Sequence, residues 1–310
     1  MTRRMLPALA GLSVLLSVIW LGLSYRAVHA QVSMNITGLP EKGLHLVGTG
    51  DPGFGRLLKS LPGDETTPEL DALRPYSVIL QNKSLQTVVA YALRWEYTNL
   101  DGKRIHIDLS DGEITRLMDG PTRKVPTEYD ENGPALDPHS WVLATPSTVL
   151  KTSSGARDRA NDPNYQAFLQ RIVTRFNQGQ DFSVTLDGAF FEDGSFVGPN
   201  RSHLFENFSS EVSARQNLVQ QIVDAAQAGR SVNEVAREIQ ASLPDSPPKL
   251  TRASDGTIRG DDQYYRHKYA SRFLSVYRNA GQESALEWAK NLRFQNVPRL
   301  TTQDSKKVEP

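Results

Sequence analysis

Val89, Tyr91, Leu93, Trp95 and Tyr97 occupy every second position of one stretch, with Ala90, Ala92, Arg94, Glu96 and Thr98 between them. A period of two puts the first set on one face of a strand and the second set on the other. Phe182, Val184 and Leu186 alternate in the same way with Ser183, Thr185 and Asp187, predicting a second half-buried strand. Asp193-Gly194, set between Phe190/Phe191 and Phe196/Val197, then predicts a hairpin, because glycine relieves the left-handed geometry of a tight turn. Tyr76, Val78 and Leu80 mark another strand, and Leu44–Val47 a further candidate. Asp101-Gly102 turns the chain toward Ile105–Leu109, and Asp111-Gly112 and Asp119-Gly120 supply further turns. A Pro/Gly-rich loop follows over about 120–139, and Trp141–Leu150 holds short strands broken at Pro146.

The period changes after residue 162. Tyr165, Phe168, Leu169, Ile172, Val173 and Phe176 recur at helical spacing behind Asp162-Pro163, predicting a helix over about 163–177 that packs on the sheet. Beyond Pro199 the helical signals dominate. Phe208, Val212, Val219, Ile222, Val223 and Ala226 share one face, and Gly229 stops that helix. Ser231-Val232-Asn233-Glu234 is a capping box that opens the next helix, through Val235, Ile239 and Leu243. Tyr265, Tyr269, Phe273, Val276 and Ala280 mark another helix, and Ala285, Trp288, Ala289 and Leu292 a short last one.

These periods predict an α+β protein: an antiparallel immunoglobulin-like β-sandwich over 74–200, with the helix near 163–177, then an α-helical region over 201–297. A flexible segment over 31–73, a Pro-rich linker over 244–262 and a disordered tail over 298–310 complete the expected organisation. Pro75–Asn82, Ala90–Glu96, and Leu186-Asp187-Gly188 with Asp193-Gly194 together resemble uncharacterised exported bacterial proteins that carry an immunoglobulin/fibronectin-like sandwich. That resemblance is one of fold and implies no activity.

The N-terminus supports the exported context. Arg3 and Arg4 precede an uncharged run from Met5 to Tyr25, and Val28-His29-Ala30 places small residues where a signal peptidase reads. Residues 1–30 are therefore expected to be a signal peptide, cleaved after Ala30. The run is also long enough to remain as a membrane anchor, and the arginines orient both versions with the rest of the chain outside. The expected location is extracytoplasmic, periplasmic or secreted, with inner-membrane attachment as the variant.

Composition narrows the function classes. Thirty-five basic side chains balance 35 acidic ones, which argues against a nucleic-acid partner needing a basic field. The absence of cysteine excludes disulfides, thiol catalysis and thiolate metal sites. It also fits bacterial export, so the sequons at Asn35, Asn82, Asn200 and Asn207 read as chance matches. Gly48-Thr49-Gly50-Asp51-Pro52-Gly53 has the outline of a dinucleotide fingerprint, but Pro52 removes a loop N–H and no train of βαβ units follows.

Asp187, Glu192 and Asp193 are the candidate acids. An EF-hand alignment on Gly194 puts Ala189 and Phe191 at ligand positions, so calcium is not expected there. His29 lies in the signal, and His45, His106, His139, His203 and His267 show no metal-ligand spacing. No cofactor or metal is expected. Gln263–Arg299 holds seven Lys/Arg against two Glu among several aromatics, consistent with a solvated basic helix face. The leading expectation is a non-catalytic interaction or scaffold protein of the cell envelope, with a protein or envelope component as partner. The alternative is an extracytoplasmic hydrolase with Asp187, Glu192 and His203 in a site between the β and α halves.

Overall fold

The computed structural model describes residues 32–60, 72–112, 136–146, 163–252, 258–292 and 300–302. The expected signal or anchor, most of the 59–73 linker, most of the 120–139 loop and the last eight residues lie outside the described residues. The fold is α+β. A large sheet is built from β1 (Met34–Thr37), β4 (Val88–Thr98), β5 (Arg104–Gly112), β7 (Gln180–Phe191), β8 (Ser195–Val197) and β11 (Thr301–Thr302). A small sheet pairs β2 (Leu44–Gly48), β3 (Val78–Asn82) and β6 (Trp141–Ala144), all antiparallel. The helices are α1 (Phe54–Lys59), α2 (Pro163–Asn177), α3 (Leu204–Gln227), α4 (Val232–Ser242) and α5 (Asp262–Asn291), and a short hairpin joins β9 (Thr251–Arg252) to β10 (Ile258–Arg259).

The two periodic strands read from the sequence are the centre of the large sheet. β4 pairs antiparallel with β5 on one side and with β7 on the other. One face of these strands supplies Tyr91, Leu93, Trp95, Val184 and Leu186 to a core that also takes Leu44, Val78, Leu80 and Ala144 from the small sheet. Trp95 is fully buried, and its indole N–H donates to the Tyr76 carbonyl at 2.8 Å, so the largest core side chain leaves no orphan donor. α2 closes one end of this core through Phe176, whose ring lies 4.8 Å from Tyr76 and 5.7 Å from Phe182. The Tyr76 hydroxyl donates to Asn177 at 2.8 Å and ties down the end of that helix. Asn82 is fully buried, and its amide donates to the carbonyls of Gln86 and Leu136 at 2.7 and 2.9 Å. Its sequon is therefore enclosed in the fold.

The opposite face of the large sheet receives the helical half. Ala90 and Ala92 are small enough for α3 to lie against them, and Leu204, Phe208 and Val212 join Phe190 and Phe196 there. Phe208 stacks on Phe190 with ring centroids 4.7 Å apart. The rest of α3 forms a second core with α4 and α5 through Leu218, Ile222, Val235, Ile239 and Phe273. The capping box at Ser231 and Glu234 is present in both directions. α5 is two helices meeting at Gly281, whose φ of 85° and ψ of −178° break the helical path. That kink lets Ala285, Ala289 and Leu292 turn back onto the core, in the two-helix arrangement expected from the sequence.

Four assignments differ. Asp111-Gly112, expected as a turn, lies within β5 and pairs with Tyr91 and Ala90 of β4. The segment expected to be flexible over 31–73 contains β2, on the Leu44–Val47 run read as a candidate strand, and also β1, which joins β7 in parallel from Met34↔Phe182 to Thr37↔Thr185. A four-residue strand alternates too briefly to announce itself, and its partner lies far away in sequence. The expected disordered tail includes Thr301 and Thr302, which pair in parallel with Ser195 and Phe196. The Pro-rich linker contains the β9–β10 hairpin. The large sheet is consequently mixed: β5, β4, β7 and β8 are antiparallel neighbours, and β1 and β11 add in parallel.

Candidate functional site

The joint between the sheet and α3 gathers the polar side chains with chemical potential. α3 covers the Ala90–Ala92 end of the outer sheet face. Beyond it, β4 contributes Arg94 and Glu96, β5 contributes His106 and Asp108, and β7 contributes Ser183, Thr185 and Asp187. The register sets these rows side by side, with Arg94 between Asp108 and Thr185, and Glu96 between His106 and Ser183.

Arg94 is only 7% exposed. It donates from Nε to Asp108 Oδ1 at 2.6 Å and from Nη2 to Oδ2 at 2.9 Å, and Nη2 also reaches the Arg201 carbonyl at 3.2 Å. The hydrogen bond to Asp108 raises the Arg94 pKa, outweighing burial, so the guanidinium stays charged under the joint. His106 Nε2 lies 3.7 Å from Asp108 Oδ2. Arg104 donates to the Asp181 carbonyl and to Ser183 Oγ, both at 2.8 Å, spanning β5 to β7 over β4.

Asp187 is fully buried. Its carboxylate accepts the backbone N–H groups of Arg201 and Ser202 at 3.0 and 2.6 Å, and its carbonyl accepts the Asn200 N–H at 2.8 Å. The turn it holds begins at Gly198, with φ of 117°, where a Cβ would fall 2.7 Å from the Asp187 carbonyl oxygen. Asn200 and His203 both adopt left-handed backbone angles, with φ of 60° and 56°. Asn200 Oδ1 accepts the Phe205 N–H at 3.0 Å and so caps α3, while its amide donates to Glu206 at 2.8 Å. His203 Nδ1 is 3.7 Å from that same Glu206 carboxylate.

Asp187 and His203 thus belong to one turn, with Asp187 beneath it as a staple. Glu192 lies just past the C-terminal end of β7, about 16 Å along the chain direction from Asp187. It is exposed there, and its carboxylate accepts the Thr87 N–H at 3.4 Å. The candidate carboxylates do not converge. The sequence pointed past the residues that do most here, Arg94, Asp108 and Asn200. The available signal was two charged residues, Arg94 and Glu96, inside an eleven-residue strand whose other residues, but for Thr98, are apolar or aromatic.

A concavity of about 650 Å³ is lined by Val32, Met34, Ile36, Leu46 and the 48–52 turn. It contains the glycine pattern weighed above, and the loop's donors are used internally. Gly53 N–H donates to Asp51 Oδ1 at 2.6 Å, and Asp51 N–H to the Gly48 carbonyl at 3.0 Å. Gly48 has a packing reason, since a Cβ there would lie 2.1 Å from Ile36 Cδ1. Among the described residues no group of three or more His, Asp or Glu is placed to hold a metal, and no helix is long and apolar enough to cross a membrane.

β5 has a different property. β4 pairs with it from Ala90↔Gly112 to Thr98↔Arg104 without a register shift, and no described strand takes its other edge. In comparisons with protein families, curated proteins and solved structures, nothing matches this chain.

Proposed function

We propose that this chain is an exported, extracytoplasmic interaction or scaffold protein of the bacterial cell envelope, non-catalytic, with an immunoglobulin-like sandwich carrying an α-helical half. Among the described residues no strand takes the outer edge of β5, and that edge is the observation that carries this reading. A regular edge strand of nine residues without proline or bulge offers a row of backbone donors and acceptors to another chain, an arrangement sheet proteins ordinarily blunt. Strand addition to such an edge is a common mode of protein recognition, with main-chain hydrogen bonds supplying affinity and alternate side chains specificity. Asp187 supports the same reading: its carboxylate is occupied by two backbone N–H groups and serves the joint between the halves.

The test is photo-crosslinking in the producing cell, with a photoreactive residue at Ser110 and a control at exposed Arg237 on α4. Adducts from Ser110 and none from Arg237 are expected. No adduct from Ser110 in folded protein at native abundance would overturn the reading. Intact mass of the protein in each cell fraction tests export separately, with a species beginning at Gln31 outside the cytoplasm expected for a cleaved signal.

A further inference from the structure

α5 breaks at Gly281, yet its apolar pattern runs straight through the break. At 3.6 residues per turn, Ala270, Phe273, Tyr277, Ala285, Trp288 and Leu292 fall within about 120° of one another on a straight helix. Gly281 lies in the middle of that stripe, and all six residues are buried or half-buried. What bends the helix is one backbone position. Gly281 has φ of 85° and ψ of −178°, a combination open in practice to glycine alone. Among the described residues nothing lies within 4 Å of where its Cβ would be.

The kink folds the tip of α5, residues 282–291, back toward its stem, so that Trp288 meets Phe273 with ring centroids 6.2 Å apart. On a straight helix those two residues stand about 22 Å apart along the axis, so one straight chain cannot make that contact by itself. Stem and tip are also held differently. Stem side chains bond to the neighbouring helices, Lys268 and Tyr269 to Glu211, Tyr277 to Asn233 and Arg278 to Gln240. The tip is held by apolar contact, with Ala285 and Ala289 fully buried and Trp288 at the margin. Among the described residues no side-chain hydrogen bond ties it to α3 or α4.

From this we infer that the tip is an exchangeable element. When α5 straightens at Gly281, residues 282–291 leave their own core and take the same place in the core of a second copy of this chain, which returns its own tip. The groove identifies its occupant, because the helix that fills it in one chain is the helix the second copy supplies. Every apolar contact of the bent form, Trp288 on Phe273 included, is recovered between copies, and only the hinge changes. The two-residue pairing of Thr301 and Thr302 with β8 travels with the tip. Glycine disfavours the straight helix, which keeps the wild-type chain mostly closed. The exchange does not involve the β5 edge.

Gly281→Ala in the full chain is the test. Alanine puts a methyl into open space, favours the helix and cannot hold the bent backbone, a shift from bent to straight of about tenfold or more. At matched concentrations the dimer fraction by light scattering is expected to exceed that of wild type by about tenfold. The amides of 282–291 are expected to stay as protected from hydrogen exchange as in the wild-type monomer. A monomer with a protected tip would show a helix that stays bent, and would overturn the inference. A fast-exchanging tip in any oligomeric state would overturn it too, by showing release without exchange.

Wild type decides the matter if the variant does not fold. Isotopically heavy and light protein are mixed at high concentration, held near the urea midpoint and returned to buffer. Dimers of mixed mass that persist on dilution, with 282–291 protected, are expected. Recovery of monomer alone would overturn the inference.

Discussion

Arg94 and Asp108 meet across β4 and β5 through paired hydrogen bonds of 2.6 and 2.9 Å, in a strand whose flanking residues Leu93 and Trp95 are fully buried. The same guanidinium reaches the Arg201 carbonyl in the turn that leads into α3. One side chain therefore ties the sheet edge, the sheet centre and the helical half together. Replacing it by alanine leaves Asp108 without its counter-charge at a site 16% exposed. Arg94→Ala is expected to cost about 2–4 kcal/mol, read as a lower urea midpoint at unchanged slope.

Asp187 makes a sharper prediction about the joint. Alanine there strands the Arg201 and Ser202 N–H groups, and the buried Ser202 cannot turn to water. Asp187→Ala is expected to lose about 2–4 kcal/mol and to open the 198–203 turn to limited proteolysis before the rest of the chain. Asp187→Asn keeps one acceptor and is expected to fall between wild type and alanine. Cleavage elsewhere first would show that the turn does not depend on this carboxylate.

The same substitution at two glycines should have opposite signs. A Cβ at Gly198 meets the Asp187 carbonyl at 2.7 Å and must adopt a φ of 117°, so Gly198→Ala is expected to destabilise by more than about 2 kcal/mol. Gly55 sits within α1 with nothing near a new Cβ. Gly55→Ala is expected to stabilise by about 0.5–1 kcal/mol. Thermal unfolding of the pair checks both signs in one experiment.

The α3–α5 contact carries a pH dependence. Tyr269 donates to Glu211 at 2.7 Å, and Lys268 donates to the same oxygen at 2.7 Å. Burial first, and then the Glu211 charge, push the Tyr269 pKa far above its ordinary value of 10.0; Tyr265 is raised by the same causes in the same order. A phenol whose folded pKa lies above its unfolded one keeps its stabilising contribution below the unfolded value. That contribution is lost as pH rises past about 10 and toward the folded value. Stability is expected to decline above pH 10, with two tyrosines ionising only as the protein unfolds in an ultraviolet titration. Tyr269→Phe should flatten that decline and cost about 1 kcal/mol at neutral pH. Early ionisation of every tyrosine would contradict this account.

Ser231→Ala removes the acceptor for the Glu234 N–H at the start of α4. A loss of about 1 kcal/mol is expected, confined to the helical half in amide exchange. Loss of protection in β4 or β7 would mean that the two cores unfold together.

The central strands, the hairpin at Gly194, α2 and the four helical segments after Pro199 were legible in the sequence. Each is long enough for its period to repeat, and periods of two and 3.6 residues cannot be mistaken for one another over such lengths. Gly229 and Ser231 were legible because a helix end has few chemical solutions. The tertiary structure decided the rest. β1 and β11 exist only because distant β7 and β8 offer them edges, and their own residues carry no preference strong enough to announce it. Asp187 read from the sequence as a turn former first and a catalytic acid second, and only the fold brought two backbone N–H groups onto it. Arg94 and Asp108 lie on separate strands, and what they do for each other depends on a register that is a property of the assembled sheet. A sequence determines which residues can share a face. Which faces meet, and which strands pair, is settled by long-range packing.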